Sequence, residues 1–473
     1  MSDAYLGLEL KMMKVLKTTV LLAGASAMLP AAAAAQENLL PPQPTPAEAT
    51  AELDAEYDAP TEGSVQEAFD ETFETVQKID PVVQTWTVAQ ANALVELING
   101  ITAEGLRPAD YDVAGLRALI AAGEGEALNK GASERFIWLV EDMRDGRTPM
   151  NGRKQWFVMD PDADRYRSGA VLAAALKSGD LKAALSSVAP THADYGILRE
   201  ALAKATPGTA RYNQIQANMD RWRWLPRDLG SQYLMTNVPE YQLRLSVNET
   251  IVATYKTIVG KPGRTATPQL AEVVEGVILN PTWTVPQSIV KGEGLGARVL
   301  GNPAWAKRAG YAATKGPNGF VTVVQQPGPT NSLGRMKLDM PNRHAIFLHD
   351  TPSRGLFANS SRALSHGCVR TEKAVELALM LAILQAGLTA DEGAAMLNSG
   401  EYTRVPFQKK MPVYITYFTM ATDINGKLSS FGDVYGRDSA VLASFNAPRV
   451  ANRSRVTDEQ IIVIEDDLRD TAS

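Results

Sequence analysis

The sequence predicts an α+β protein: an all-helical N-terminal domain, then a β-rich domain carrying a lid-like insertion and C-terminal helices. Three observations lead there. Apolar residues recur at helical spacing from Ser64 to about Pro207. From Gln232 the period changes to two, with Pro and Gly punctuating between the runs. After Arg370 the helical period returns. The chain has 473 residues, 45% of them apolar, which is enough for two or three packed domains. Its net charge of −6 argues against a nucleic-acid-binding surface, which would be basic.

The N-terminus reads as an export signal over residues 1–35. Lys14 and Lys17 precede the apolar run Val20 to Ala25, and small residues follow to Ala35. That run is too short to span a bilayer, and no later segment is long and apolar enough. No stable membrane span is therefore expected after cleavage, and the compartment expected is the periplasm. Residues 36–63 hold seven carboxylates and no Lys or Arg, and read as a disordered acidic linker.

The helical domain is placed over residues 64–207. Val88, Ala91, Val95 and Ile98 share one face and Gly100 ends that helix. Asp112 and Ser133 each suit a helix N-cap, Asp112 before Val113, Leu116 and Ile120, and Ser133 before Phe136, Ile137 and Val140. Ala170 to Leu185 reads as helix broken at Gly179-Asp180. His192 stands alone and reads as a packing or surface residue. Residues 208–230 form a connecting helix stopped by Pro226, with Trp222 and Trp224 as packing anchors.

The β-rich domain is placed over residues 231–446. Tyr241 to Val247 and Ile251 to Val259 alternate across an Asn248-Glu249 turn. Val273 to Leu279, Phe320 to Val324, Arg343 to Leu348 and a final run from Pro412 to Phe418 also read as strands. Residues 291–319 are Gly-rich, interrupt the series and suit a mobile lid. Thr371 suits the cap of a helix through Ile383, and a second short helix is expected from Thr389 to Leu397. Asn425-Gly426 marks a turn, and residues 447–473 read as a loose polar tail.

The chemistry-bearing residues cluster. The chain has one Cys, and three of its four His lie within 25 residues of it: His344, His349 and His366. A lone thiol in an exported chain is either inert or reactive. A nucleophilic thiol needs a base and donors for the oxyanion of a tetrahedral intermediate. In Ser365-His366-Gly367-Cys368-Val369-Arg370, Gly367 permits a tight turn and Arg370 adds positive charge suited to a carboxylate. Either His349 or His366 can serve as base. His349 is preferred, because it comes from a separate element and can be aimed across at the sulfur. Three His and a Cys also raise metal binding, but no ligand spacing is present, and neither metal nor cofactor is expected.

The stretch from His349 to Arg370 resembles the active-site signature of the YkuD-type L,D-transpeptidases: a His, a spacer, Ser-His-Gly-Cys, one apolar residue and Arg. The motifs Ile258-Val-Gly-Lys-Pro, Asn280-Pro-Thr-Trp, Gln326-Pro-Gly-Pro and Pro341-Asn-Arg-His resemble the long Gram-negative subgroup. So do Arg221-Trp-Arg-Trp-Leu-Pro226 and the stretch Gly105 to Tyr111, which resembles that subgroup's scaffold domain. The subgroup's helical peptidoglycan-binding module, between scaffold and Trp-rich helix, is missing.

That resemblance implies 3→3 peptidoglycan cross-linking. Cys368 would attack a tetrapeptide stem with loss of D-Ala, His349 acting as base with its ring oriented by a carbonyl near Asp350. Gly367 and Cys368 would supply oxyanion N–H groups, with His366 in support, and Arg370 and Ser365 would contact substrate. Donor and acceptor stem peptides are the implied partners, and carbapenems the implied inhibitors. Two alternatives stand beside it: an L,D-carboxypeptidase or cross-link hydrolase on the same scaffold, and a non-catalytic wall-associated scaffold.

Overall fold

The computed structural model describes residues 83–158, 166–317 and 319–450. The export signal, the acidic linker, the start of the helical domain and the tail from residue 451 lie outside the described residues.

Local signals set the first helices. Thr87 and Gln90 form a capping box for α1 (Val88–Asn99), whose Ala91, Leu94, Val95 and Ile98 are buried. Asp112 caps α2 (Val113–Ala122), its carboxylate accepting from the Gly115 N–H at 3.0 Å. The expected cap at Ser133 is not formed. α3 runs unbroken over Glu126–Asp145 with Ser133 inside it. The Ser133 hydroxyl instead accepts from the Gln84 N–H and the Trp86 indole N–H, each at 3.0 Å. A tertiary partner took the oxygen that a cap would have used.

The Gly179-Asp180 break separates α4 (Ser168–Ser178) from α5 (Leu181–Ser186). α6 (Ala193–Ala203) is followed by α7 (Ala210–Trp222), with residues 204–209 alone between them. His192 caps α6 and stacks on Trp222 at 4.3 Å, and Trp222 in turn stacks on Phe418 at 4.5 Å. Trp224 meets Trp156 edge-on. These aromatics are packing anchors, as their sequence context suggested.

The sheet begins with β1 (Gln232–Asn237), β2 (Gln242–Val247) and β3 (Thr250–Gly260). Asn248 and Glu249 both take positive φ at the β2–β3 turn. β4 (Leu270–Leu279), β8 (Met336–Asp339), β9 (Leu348–His349), β10 (Ala363–Ser365), β11 (Val369–Thr371) and β12 (Thr403–Thr416) complete it. The order is β10-β3-β11-β9-β8-β4-β12-β1-β2, and β2 also pairs with β3, so the sheet curls back on itself. Its apolar face packs against α11 (Ala374–Ala386), where Leu377, Ala378 and Leu381 are buried.

Four further expectations are corrected. The strand expected over Arg343 to Leu348 shrinks to Leu348–His349, because Asn342 holds the preceding loop: its side chain accepts from the His344 and Ile346 N–H groups. Thr371 caps nothing; it is buried in β11, and Lys373, at positive φ, precedes α11. The strand expected at Pro412 starts at Thr403, a register shift between Pro406 and Met411 having hidden its period. It is not the last, since β13 (Met420–Thr422) and β14 (Leu428–Ser430) form a hairpin around Asn425-Gly426. After α13 (Asp438–Asn446) the chain is held, with Arg449 bonded to Glu141 and Asp142 on α3. The short helix expected from Thr389 is formed as α12 (Ala390–Ser399), and Thr389 and Glu392 make its capping box.

The insertion is built, not loose. It comprises β5 (Trp283–Thr284), α8 (Gln287–Gly292), α9 (Leu295–Gly301), α10 (Pro303–Arg308), β6 (Tyr311–Lys315) and β7 (Val321–Gln325). Val285, Val290, Val299, Ala306 and Val323 give it a small core of its own.

Candidate active site

Strand register brings the signature residues together. β11 pairs with β9 in parallel, Val369 opposite Leu348 and Arg370 opposite His349. β8 pairs antiparallel on the other side of β9, Lys337 opposite His349, and Ile278 of β4 lies opposite Lys337. Directly opposed residues share a face. Arg370, His349, Lys337 and Ile278 thus form one row across four strands, and all four line a cleft of about 620 Å³. Cys368, His366 and Ser365 line the same cleft, with Glu293, Arg298 and Tyr311 of the insertion opposite.

Cys368 sits on a tight turn. Gly367 takes φ 121°, which a side chain would strain. Ser365 closes the turn: its hydroxyl donates to the Cys368 carbonyl at 2.6 Å and accepts from the Gly367 N–H at 3.1 Å. Both expectations for these residues shift. Ser365, expected to contact substrate, is buried and spends its hydroxyl inside the turn. Of the two N–H groups expected to face an oxyanion, Gly367's is engaged and Cys368's has no protein acceptor among the described residues. Thr267, which the sequence reading passed over, braces the turn from behind, donating to the Gly367 carbonyl at 2.7 Å and accepting from the Gly260 N–H at 2.8 Å.

The thiol of Cys368 is partly exposed and 3.5 Å from the Ala345 carbonyl. Desolvation pushes its pKa up; a bond from the Phe347 N–H and the charges of Lys337 and Arg370 pull the other way without prevailing. His349 is buried, its Nδ1 2.5 Å from the Asp350 carbonyl. A carbonyl only accepts, so Nδ1 carries the proton and the Nε2 lone pair is free. Burial, then Arg370, then Lys337 push the His349 pKa down to about 3. The ring is therefore neutral at neutral pH and able to accept a proton. The Asp350 carboxylate faces away, accepting from the Arg335 N–H at 2.9 Å and pairing with Arg354 at 3.1 Å.

His366 and His344 stand apart from this pair. His366 reaches the insertion, its Nε2 3.1 Å from Glu293. His344 is buried against Phe157, and burial pushes its pKa down to about 4. Among the described residues no three His, Cys, Asp or Glu side chains converge as a metal site would require. Lys337 is the charged residue that the sequence reading missed. Its only visible signal is an alternating Met336-Lys337-Leu338-Asp339, which says nothing about which histidine it faces.

A sequence model of the YkuD family, the L,D-transpeptidase catalytic domain, matches residues 231–415. The chain carries an L,D-transpeptidase catalytic domain. A second family model, of the scaffold domain, matches residues 84–202. A candidate L,D-transpeptidase from Haemophilus influenzae is 31% identical over 229 residues, covering 45% of this chain and 46% of its own length. The chain thus spans about half the length of that curated relative. Among solved structures, an L,D-transpeptidase from Mycobacterium smegmatis shares 13% identity over 39% of this chain and 58% of its own, with a TM-score of 0.20. An L,D-transpeptidase in complex with imipenem shares 14% over 39% and 59%, with a TM-score of 0.19.

Proposed function

We propose that this L,D-transpeptidase domain forms 3→3 peptidoglycan cross-links by acyl transfer through Cys368. The observation that carries the reading is the pairing of β9 with β11. It sets a neutral His349, its tautomer fixed by the Asp350 carbonyl, beside the turn that presents the only thiol of the chain to the cleft.

The step balances as follows. His349 Nε2 takes the Cys368 proton as the sulfur bonds to the carbonyl carbon of the donor stem's third residue. The tetrahedral oxyanion meets the Cys368 N–H. The bond to D-Ala breaks, and its nitrogen takes the proton from His349. A side-chain amine of a second stem then attacks the thioester, giving the cross-link and restoring the thiol. Arg370 suits a stem carboxylate. A carbapenem offers a strained carbonyl to the same sulfur, so acylation of Cys368 by that class is part of the proposal. The export signal read in residues 1–35 supports a reaction in the periplasm, where the polymer is. Among the described residues no helix is long and apolar enough to cross a membrane.

The test is mass spectrometry of products from a disaccharide-tetrapeptide. Cross-linked dimers with free D-Ala are expected, and Cys368→Ala should lower their formation by at least about 10³-fold, the scale of a lost covalent step. Tripeptide monomers alone would mean that water takes the acyl group and the domain is a hydrolase. Full D-Ala release by Cys368→Ala would sink both. His349→Ala should be nearly inactive; retained activity there, with loss in His366→Ala, would move the base to His366.

A further inference from the structure

The row across the sheet places two cations on either side of His349, and neither has a carboxylate within ion-pair distance among the described residues. Arg370 belongs to the signature. Lys337 does not, and comes from a strand that the signature does not include. The Lys337 ammonium lies 3.8 Å from the ring centroid of Phe347. Phe347 is the residue whose backbone N–H bonds the Cys368 thiol and whose carbonyl accepts from the Val369 N–H at 2.9 Å. The nearby carboxylate of Asp339 is committed elsewhere, bonded to Arg404 at 2.6 Å.

A half-buried ammonium without an acid partner is costly to keep. A cation held over an aromatic face recovers part of that cost, on the order of 1 kcal/mol. Such a charge is unexplained by stability and needs a second reason to be where it is. We propose that Lys337 is a positioning cation of the acyl-transfer site: from the row that holds His349, it favours the thiolate of Cys368 over the thiol and the neutral ring of His349 over the imidazolium. The inference rests on Cys368 and His349 being the reacting pair of the proposed function.

The other charges around the pair do not supply this field. Asp350 faces away from the cleft and is held by the Arg335 N–H and by Arg354. Glu293 and His366 are paired with each other across the cleft mouth, where both are largely exposed. Arg298, from the insertion, is stacked on Trp305 at 3.9 Å. Tyr311 lines the cleft too, and desolvation raises its pKa, so it is neutral at neutral pH. That leaves Lys337 and Arg370 as the two charges acting on the thiol, and both lower its pKa. They also both resist a proton on His349. Lys337 is itself held below its ordinary pKa by desolvation, with Asp339 and Cys368 opposing that effect.

Removing one cation should therefore move both titrations the same way, upward. Loss of packing alone would not produce that coordinated shift. Because Cys368 is the only thiol, alkylation by iodoacetamide reads it directly in the full chain. The experiment follows the alkylation rate from pH 5 to pH 10 in the wild type, Lys337→Met and Lys337→Arg. The expected result is a midpoint about 1 pH unit higher in Lys337→Met, hence a roughly tenfold slower reaction at pH 7. The charge-keeping Lys337→Arg should fall close to the wild type. An unchanged midpoint in a folded Lys337→Met overturns the proposal, and so does an equal shift in Lys337→Arg. Lys337→Gln, polar and unbranched, serves the same reading if the Met variant does not fold. The proposed function fails separately. If wild type gives no D-Ala from tetrapeptide while the midpoint shifts as expected, Lys337 still tunes the thiol and the reaction is another one. If wild type cross-links and the midpoint stays put, Lys337 alone is wrongly assigned.

Discussion

The helical region and the cleft treat buried positive charge in opposite ways. Around α3 and α7, four arginines with buried side chains lie against acids: Arg147 on Asp110 at 2.9 Å, Arg449 on Asp142 at 3.0 Å, Arg221 on Asp438 at 2.5 Å and Arg223 on Asp220 at 3.5 Å. In the cleft, Lys337 and Arg370 have no acid within that range among the described residues. The first arrangement fixes geometry, because breaking a buried pair strands a charge. The second preserves a field, because an acid partner would cancel the effect on Cys368 and His349. The same residue types serve as fasteners in one place and as an electrostatic tool in the other.

The sharpest way to break this contrast is Asp220→Ala. Asp220 is fully buried, accepts from the Arg147 and Thr148 N–H groups at 2.6 and 3.0 Å and from the Trp224 indole at 3.1 Å, and faces Arg223. Its loss should cost about 3–5 kcal/mol in urea unfolding. A cost below about 1 kcal/mol would mean that the acids of this region are not fasteners.

Next comes pH. His349 and His344 are pushed down to about 3 and about 4 in the fold, against 6.5 unperturbed. The unfolded chain takes up protons that the folded one refuses, so stability is full above about pH 6.5 and falls as pH drops from there toward 4. Each group contributes a slope of up to about 1.4 kcal/mol per pH unit in that window. The urea midpoint of the His344→Asn, His349→Asn double variant should vary less between pH 7 and pH 5 than that of the wild type. Equal slopes would show that neither ring is held neutral.

The smallest effect should come from Lys337→Met, judged on stability alone. With no acid to strand, its removal should change the unfolding free energy by less than about 1 kcal/mol. A loss like that of Asp220→Ala would make Lys337 a fastener too.

How much of this the sequence reveals depends on distance along the chain. Caps are local, so Asp112 announced its helix. Ser133 misled, because its partners Gln84 and Trp86 arrive from another part of the chain. The Cys368 turn and His349 are legible because 22 residues of signature contain both. Ser365 is legible as part of the motif but not as its internal brace. Lys337 and Thr267 stay hidden, since their places follow from strand register and from loop packing, which no short motif records. The insertion was seen as an interruption, but it starts at β5 and brings its own small core, whose apolar residues are too few and too scattered to show a period.

Both ends of the described chain are tied to one helix. Gln84 and Trp86 hold α3 through Ser133 and Asn129, and Arg449 holds it through Glu141, Asp142 and the Trp138 carbonyl. The sheet with its cleft is thus a long excursion that leaves this helix and comes back to it. A tensile load applied at Gln84 and Arg449 would be borne first by those anchors on α3. The geometry between Cys368 and His349 would lie outside the line of force.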